Sequence, residues 1–272
     1  MWVGQQLADG LDFWGFLGSL ILGGIILGIY TGLLGYVGAK TGLSLDLLSQ
    51  RAFGEKGSYL PSAMTSFTQI GWFGVGSFVS GGTATPNFAR FAKNGKSGAI
   101  TTVVAFFIGN SLMFFFGAVS SIFVGGNDIF EVMVRLNLFY LAVLVLGLNI
   151  WTTNDNALYT AGLGLANIFH QRKKPMVLLS GIIGTVASVW LYYNFCGWLN
   201  ILNCTLPPVG MILVLAYFMN KEDFETDQPK LKTIDWFAVA GVILGAIVAN
   251  LLHWGIASIN GMVVAAVCYC VG

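Results

Sequence analysis

The chain has 272 residues, of which 56 % are hydrophobic and 9 % charged, and its mean hydropathy is +0.77. That exceeds what the core of a soluble domain of this length needs, so the chain reads as an all-α, polytopic membrane protein whose first partner is the lipid bilayer. A net charge of +1 with dispersed Lys and Arg residues lacks the basic stripe that a phosphate backbone requires, which excludes nucleic acid as a partner.

In chain order, residues 1 to 11 are expected to form about half a span at ~1.5 Å per residue. No charged n-region or small-residue cleavage site marks a secretory signal there. Helices near the ~20 apolar residues that cross hydrocarbon are expected over residues 14–38, 99–123, 137–157, 176–195, 198–218 and 236–254. Residues 257–272 begin another. Pro207 and Pro208 are expected to break or kink the helix that holds them.

All Lys and Arg residues except Arg135 fall in four clusters, around Lys40 to Lys56, Arg90 to Lys96, Arg172 to Lys174 and Lys221 to Lys232. Placing these clusters on the inner side makes each intervening pair of spans leave and return. Residues 57–92 are the exception, because they start and finish beside inner clusters yet hold about one span of apolar sequence. A re-entrant segment turning near Gly71, Gly74, Gly76, Gly81 and Gly82 would satisfy both constraints.

The run Asn149-Ile-Trp-Thr-Thr-Asn-Asp-Asn156 is polar although its upstream flank, Phe139 to Leu148, is apolar. An unpaired polar group in hydrocarbon costs several kcal/mol, so this cluster should face protein, water or a ligand. It reads as the floor of a transport site. Asn149, Thr152 and Thr153 offer a carbonyl and two hydroxyl oxygens on one helical patch, the donor type a hard cation takes, although Thr and Asn also bond simply between helices. Asp155 is the carboxylate inside this span, and either a proton relay or a pairing with a buried polar group fits it.

Gln69 and Trp72, spaced i, i+3, put a carboxamide and an indole on one face, which suits a planar, edge-polar ring, although a gap-filling Trp and a helix-pairing Gln fit the spacing equally. Ser80 with Gly81 and Gly82 reads as a turn. The four cysteines form no C-x-x-C pair and read as packing residues, and His170 and His253 lack metal-ligand spacing and read as interfacial. No Ser-His-Asp set, phosphate loop or metal cluster supports an enzyme.

Gly71-Trp-Phe-Gly-Val-Gly76, Phe88-Ala-Arg-Phe91, Phe106-Phe-Ile-Gly-Asn-Ser-Leu-Met113, Leu146-Gly-Leu-Asn-Ile-Trp-Thr-Thr-Asn-Asp-Asn-Ala-Leu-Tyr159 and Gly181-Ile-Ile-Gly-Thr185 resemble the cytosine-permease branch of the nucleobase-cation symporters. The likeness runs in order through essentially the whole chain. It implies a multi-pass protein of a bacterial inner membrane with a LeuT-type inverted-repeat fold, importing a nucleobase, with cytosine as the expected cargo, by alternating access. By the same resemblance Gln69, Trp72, Phe78, Ser80, Asn149 and Asn154 hold the base, Phe78 closing the aromatic stack.

Asn149, Thr152 and Thr153 are then half of a sodium site, sodium being the coupling ion and no other cofactor being expected. The other half would come from an unwound first helix of which residues 1 to 11 look like the outer part, so sodium binding is expected to be weak. The whole chain, 1–272, reads as one partial transporter domain with an apparent internal deletion at the 76/77 junction, where the third helix seems to run into the sixth. The alternative implied by that junction is a transport-incompetent remnant or membrane scaffold of the same family. A further alternative keeps the fold and changes the cargo to another purine, pyrimidine or hydantoin.

Overall fold

The computed structural model describes residues 12–75, 83–125, 129–226, 229, 231–252 and 254–272. The regular elements among the described residues are all helices, with no strand among them. They form α1 (Phe13–Thr41), α2 (Leu45–Phe53), α3 (Tyr59–Val75), α4 (Pro86–Ala89), α5 (Gly95–Val124) and α6 (Ile129–Arg135), then α7 (Phe139–Phe169), α8 (Lys173–Tyr193), α9 (Phe195–Met219), α10 (Lys221–Glu225), α11 (Trp236–Leu251) and α12 (Ala257–Val271).

Two compact units share the chain, one comprising Met1–Gly32 with Ile100–Thr152 and the other Leu33–Ala99 with Thr153–Gly272. In the first unit α1 meets α5 through small residues: a Cβ at Gly24 would lie 2.9 Å from the Phe107 ring, and one at Gly28 would lie 3.7 Å from Val103. Bare backbone on one helix receives a large side chain from the other, the arrangement by which helices approach closely in lipid. The outward faces stay apolar, with Ile100, Phe116, Phe123 and Leu144 all exposed.

In the second unit α9 is central. Val209, Ile212 and Leu213 are fully enclosed, and α9 packs on α2, α3, α11 and α12. The expected break at Pro207 and Pro208 does not occur, since α9 is continuous from Phe195 to Met219. Neighbouring helices hold the turn: Pro208 is wedged against the backbone of Gly245 on α11 and Gly261 on α12, and such packing keeps proline tolerable in membrane helices.

Along this seam Gly241, Gly245 and Ala249 face Gly261 and Ala265, each set spaced by four residues and buried. A Cβ at Gly245 would lie 2.7 Å from the Gly261 carbonyl oxygen, so Gly245→Ala must part the two backbones. Its expected cost is about 1 to 3 kcal/mol, read as a lower melting temperature in detergent, whereas Gly197→Ala, with open space at its Cβ, should leave melting unchanged.

At the other end of this unit the four cationic clusters converge. Lys40 pairs with Glu225 at 3.7 Å, and Arg51 donates to the Asp223 carbonyl at 2.6 Å. The backbone N–H groups of Glu55 and Lys56 donate to Lys232 and Thr233, and that of Asp235 to Phe53. Gly54 makes this pairing possible, with φ +85° and a would-be Cβ only 2.6 Å from Lys232 O. Arg90 donates to the Tyr159 hydroxyl, and Lys173 lies 3.5 Å from the centre of the Tyr159 ring. Clusters expected on one side from charge alone are thus tied together at one end of the unit.

The expected turn near Gly71 and Gly74 is also corrected, because α3 runs unbroken through both to Val75. A Cβ at Gly71 would lie 2.3 Å from the Trp198 indole, so this glycine admits a large ring to a straight helix. The remaining glycines of that proposed turn, Gly76, Gly81 and Gly82, and the 76/77 junction itself lie outside the described residues.

Candidate substrate site

The site is built on the pairing of α3 with α7. Asn167 Nδ2 donates to Ser58 Oγ at 3.0 Å and to Ser62 Oγ at 2.9 Å. One turn along, a Cβ at Gly164 would lie 2.2 Å from Ser66 Oγ and 2.8 Å from Ser62 O. Beyond it Ser66 Oγ donates to Ala161 O at 3.1 Å. Residue numbers rise on α3 as they fall on α7, so the pair is antiparallel. Continued at about 3.6 residues per turn, this register sets Gln69 level with Ala157 and Leu158, and Trp72 level with Asn154.

Gln69 is buried on this face, and its carboxamide makes no hydrogen bond among the described residues. Asn154 is half-buried, with its side-chain oxygen Oδ1 enclosed and unpartnered. Buried polar atoms are normally paired, so an enclosed, unpartnered Asn154 Oδ1 at a level next to Gln69 marks a place where a polar ligand would be welcome. Trp72 lies on α3 with its side chain outside the described residues, and Phe78 and Ser80 lie outside them altogether.

Asn149, Thr152 and Thr153 sit on α7 as expected, the first two exposed and the third half-buried. Thr152 Oγ1 donates to Leu148 O at 3.1 Å and to Asn149 O at 3.0 Å. This is ordinary threonine bonding along a helix, and it also keeps two oxygens side by side. Asp155 is exposed and has no partner among the described residues.

An open groove of about 400 Å³ on α7 and α8 is lined by Leu158, Val177, Leu178, Gly181, Ile182, Thr185 and Val186. It holds none of the expected site residues, and its one hydroxyl, Thr185 Oγ1, is spent on Gly181 O at 2.8 Å. Such a lining suits an acyl chain rather than an edge-polar ring.

Asp46 is a buried acid outside the expected site residues. This residue, at the start of α2, is buried and accepts from Ser62 Oγ at 2.6 Å. The signal was present as the serine stripe Ser58, Ser62, Ser66 at helical spacing, a polar face that demands polar neighbours.

The family model described as a permease for cytosine/purines, uracil, thiamine and allantoin matches residues 1–85 and 75–272. The cytosine permease of Escherichia coli strain K12 is 36 % identical over 362 aligned positions, which cover 99 % of this chain and 86 % of that one. This chain belongs to that permease family. It is therefore a multi-pass membrane transporter and not an enzyme.

The allantoin permease of Bacillus subtilis strain 168 is 34 % identical over 82 residues, 30 % of this chain and 16 % of that one. Among solved structures, a nucleobase-cation-symport-1 family transporter in a closed conformation with bromovinylhydantoin bound superposes with a TM-score of 0.77 at 15 % identity, covering 98 % of this chain and 86 % of that one. The fold is accordingly that of the LeuT-type transporters. In the alignment to the Escherichia coli relative, 362 positions accommodate a chain of 272 residues, so the relative carries internal sequence that this permease lacks.

Proposed function

We propose that this permease is a symporter of a bacterial inner membrane that imports cytosine with a sodium ion. The observation that carries the reading is the enclosed, unpartnered Asn154 Oδ1 together with the buried Gln69, at adjacent levels of the antiparallel α3 and α7. An amide presents a donor and an acceptor, the pattern that the edge of a neutral pyrimidine also presents. Trp72 and Phe78 supply the stacking faces, and Ser80 and Asn149 add further hydrogen-bonding groups. The likeness to cytosine permease supports this cargo.

Asn149 carbonyl, Thr152 and Thr153 form one side of the sodium site. The 3.0 Å separation of Asn149 O and Thr152 Oγ1 supports this, since two ligands of one small cation lie about that far apart. A single helix offers too few oxygens for tight binding, so coupling requires ligands from elsewhere in the chain.

The test is uptake of labelled cytosine by vesicles holding this chain, with and without an inward sodium gradient. Gradient-dependent accumulation is expected, competed by excess unlabelled cytosine more strongly than by uracil or adenine. Gln69→Ala and Asn154→Ala should each weaken binding by about 0.5 to 1.5 kcal/mol, or more where a partner is left buried. Unchanged affinity in both variants would remove these residues from the site.

A second reading is a transport-incompetent family member. It is favoured by the family match, which comes in two pieces meeting at residues 75–85, consistent with an internal deletion near 76/77. Vesicles that bind no cytosine and accumulate none, from protein that is folded and monodisperse, would establish it.

A further inference from the structure

The inner end of the second unit contains a buried acid that the transport site does not use. Asp46 Oδ1 accepts from Ser62 Oγ at 2.6 Å, and Ser62 Oγ accepts from Asn167 Nδ2 at 2.9 Å. Asn167 Oδ1 in turn accepts from Gln50 Nε2 at 2.6 Å. Gln50 stands one turn after Asp46 on α2, so these bonds close a ring through α2, α3 and α7. A fully connected ring of two buried and two half-buried side chains fixes three helix ends in one arrangement.

A second set of groups flanks the ring. Asn87 Oδ1 accepts from the backbone N–H of Leu45 at 2.8 Å, which leaves its Nδ2 enclosed and unpartnered. Arg90 binds Tyr159 through Nη2 while its Nε is also enclosed and unpartnered. Two idle donors thus stand on the α4 side of Asp46, whereas the Ser62 hydroxyl holds it on the α3 side. Donors without acceptors in a dry site are costly, and an anion formed nearby would satisfy them.

We propose that Asp46 is a proton-binding site that sets how firmly α2 is joined to the inner ends of α3 and α7. With the proton bound, Asp46 is a neutral member of the ring. Loss of the proton leaves a buried anion whose desolvation costs more than the Ser62 hydroxyl and the nearby donors return, so α2 loosens from α3 and α7 to bring the carboxylate to water. The inference holds whatever the cargo, because none of these groups belongs to the substrate site.

The electrostatics agree with the geometry. Burial pushes the Asp46 carboxyl up to about 6, against lowering by the Ser62 hydroxyl, its own backbone N–H and the Arg90 charge. A value above the ordinary 3.8 means that the folded chain holds this proton more tightly than the unfolded one. Its stabilising effect is therefore complete below about 4 and is lost as pH rises through about 6.

The other ionisable groups around the ring are Arg51 on α2, Tyr59 on α3, Tyr159 on α7 and His170 just beyond it. Tyr217 on α9 and Asp235 at the start of α11 complete the set. Arg51 is committed to Asp223 O and Tyr59 to His170, and Tyr217 donates to Glu225. Of all these charges Arg90 is the one that acts on Asp46.

The experiment is thermal unfolding of the purified full chain between pH 4 and pH 8, wild type against Asp46→Asn, with hydrogen exchange of residues 45–53 at each pH. Relative to Asp46→Asn, the wild type should lose roughly 5 °C or more of melting temperature between pH 4 and pH 6 and then level off. Exchange in α2 should rise over the same interval in the wild type alone. His170→Gln should keep the wild-type profile. Ser62→Ala removes a bond that favours the anion, so its step should move to higher pH. A constant difference between wild type and Asp46→Asn across the range, or a step that vanishes with His170→Gln, would overturn the proposal. Should Asp46→Asn not fold, an unmoved step in Ser62→Ala would do so.

Discussion

Gly164→Leu should leave no ligand-competent protein. Even a bare Cβ at this position would stand 2.8 Å from the Ser62 carbonyl oxygen and 2.2 Å from Ser66 Oγ. The hydroxyl can turn away but the carbonyl belongs to helix backbone, so α3 and α7 must separate. Three hydrogen bonds across the pair, from Asn167 to Ser58 and Ser62 and from Ser66 to Ala161, would stretch with them. Overpacking alone costs about 1 to 3 kcal/mol, and each broken buried bond adds about 1 kcal/mol or more.

The measurement is monodispersity and melting in detergent, followed by cytosine binding. Gly147→Leu on the same helix is the control, since nothing lies within 4 Å of a Cβ there. Wild-type melting and affinity in Gly164→Leu would show that the α3 to α7 register is wrong, and the substrate site would go with it.

Trp198→Ala should be the costliest truncation in the second unit. The side chain is 2 % exposed and joins Ala157 of α7, Leu191 of α8, and Leu202 and Leu206 of α9 in one cluster. Its indole also fills the space left by Gly71 on α3. In lipid there is little hydrophobic gain from burying apolar surface, so the cost comes from the cavity and its lost contacts. That places the expected loss near the lower end of the range for large aromatic truncations, about 3 kcal/mol.

Because the cavity opens between α3 and α7 below Gln69, cytosine affinity should fall as well. Trp198→Phe should recover about half of the stability, as part of the volume is restored. A melting temperature within a degree or two of wild type for Trp198→Ala would mean that the cluster can collapse around the gap, and α3 would then need another support.

Sequence reading located the spans well because an apolar run needs no partner to be recognised. Helix ends were harder. α7 continues twelve residues beyond the expected 157 to Phe169, because Gly162 and Gly164 look like punctuation in sequence yet serve as contact points for Val177 and Ser66. That Pro208 leaves α9 unbroken was equally hard to read, since it packs on Gly245 and Gly261, which lie far away in sequence.

Of the site, Gln69 and Asn154 were legible from residue type and spacing, helped by the family resemblance. Asp46 was not, because a short amphipathic helix between spans looks like a solvated loop. Only the packing of Ser62, Asn167 and Asn87 around it reveals a buried carboxyl. Nothing in the residue type or spacing of Trp198 marks it as the core side chain that the structure shows.

The length of α7 has one more consequence. Its 31 residues extend over about 46 Å, with Asn154 at the midpoint, and Asn167 stands roughly 20 Å further along the axis. Half the hydrocarbon layer is about 15 Å, so with Asn154 at mid-bilayer the Asp46 ring sits at headgroup depth. A proton exchanging there crosses almost none of the transmembrane voltage. Asp46 would then follow the acidity of the solution bathing that surface, and the voltage across the bilayer would leave its proton occupancy unchanged.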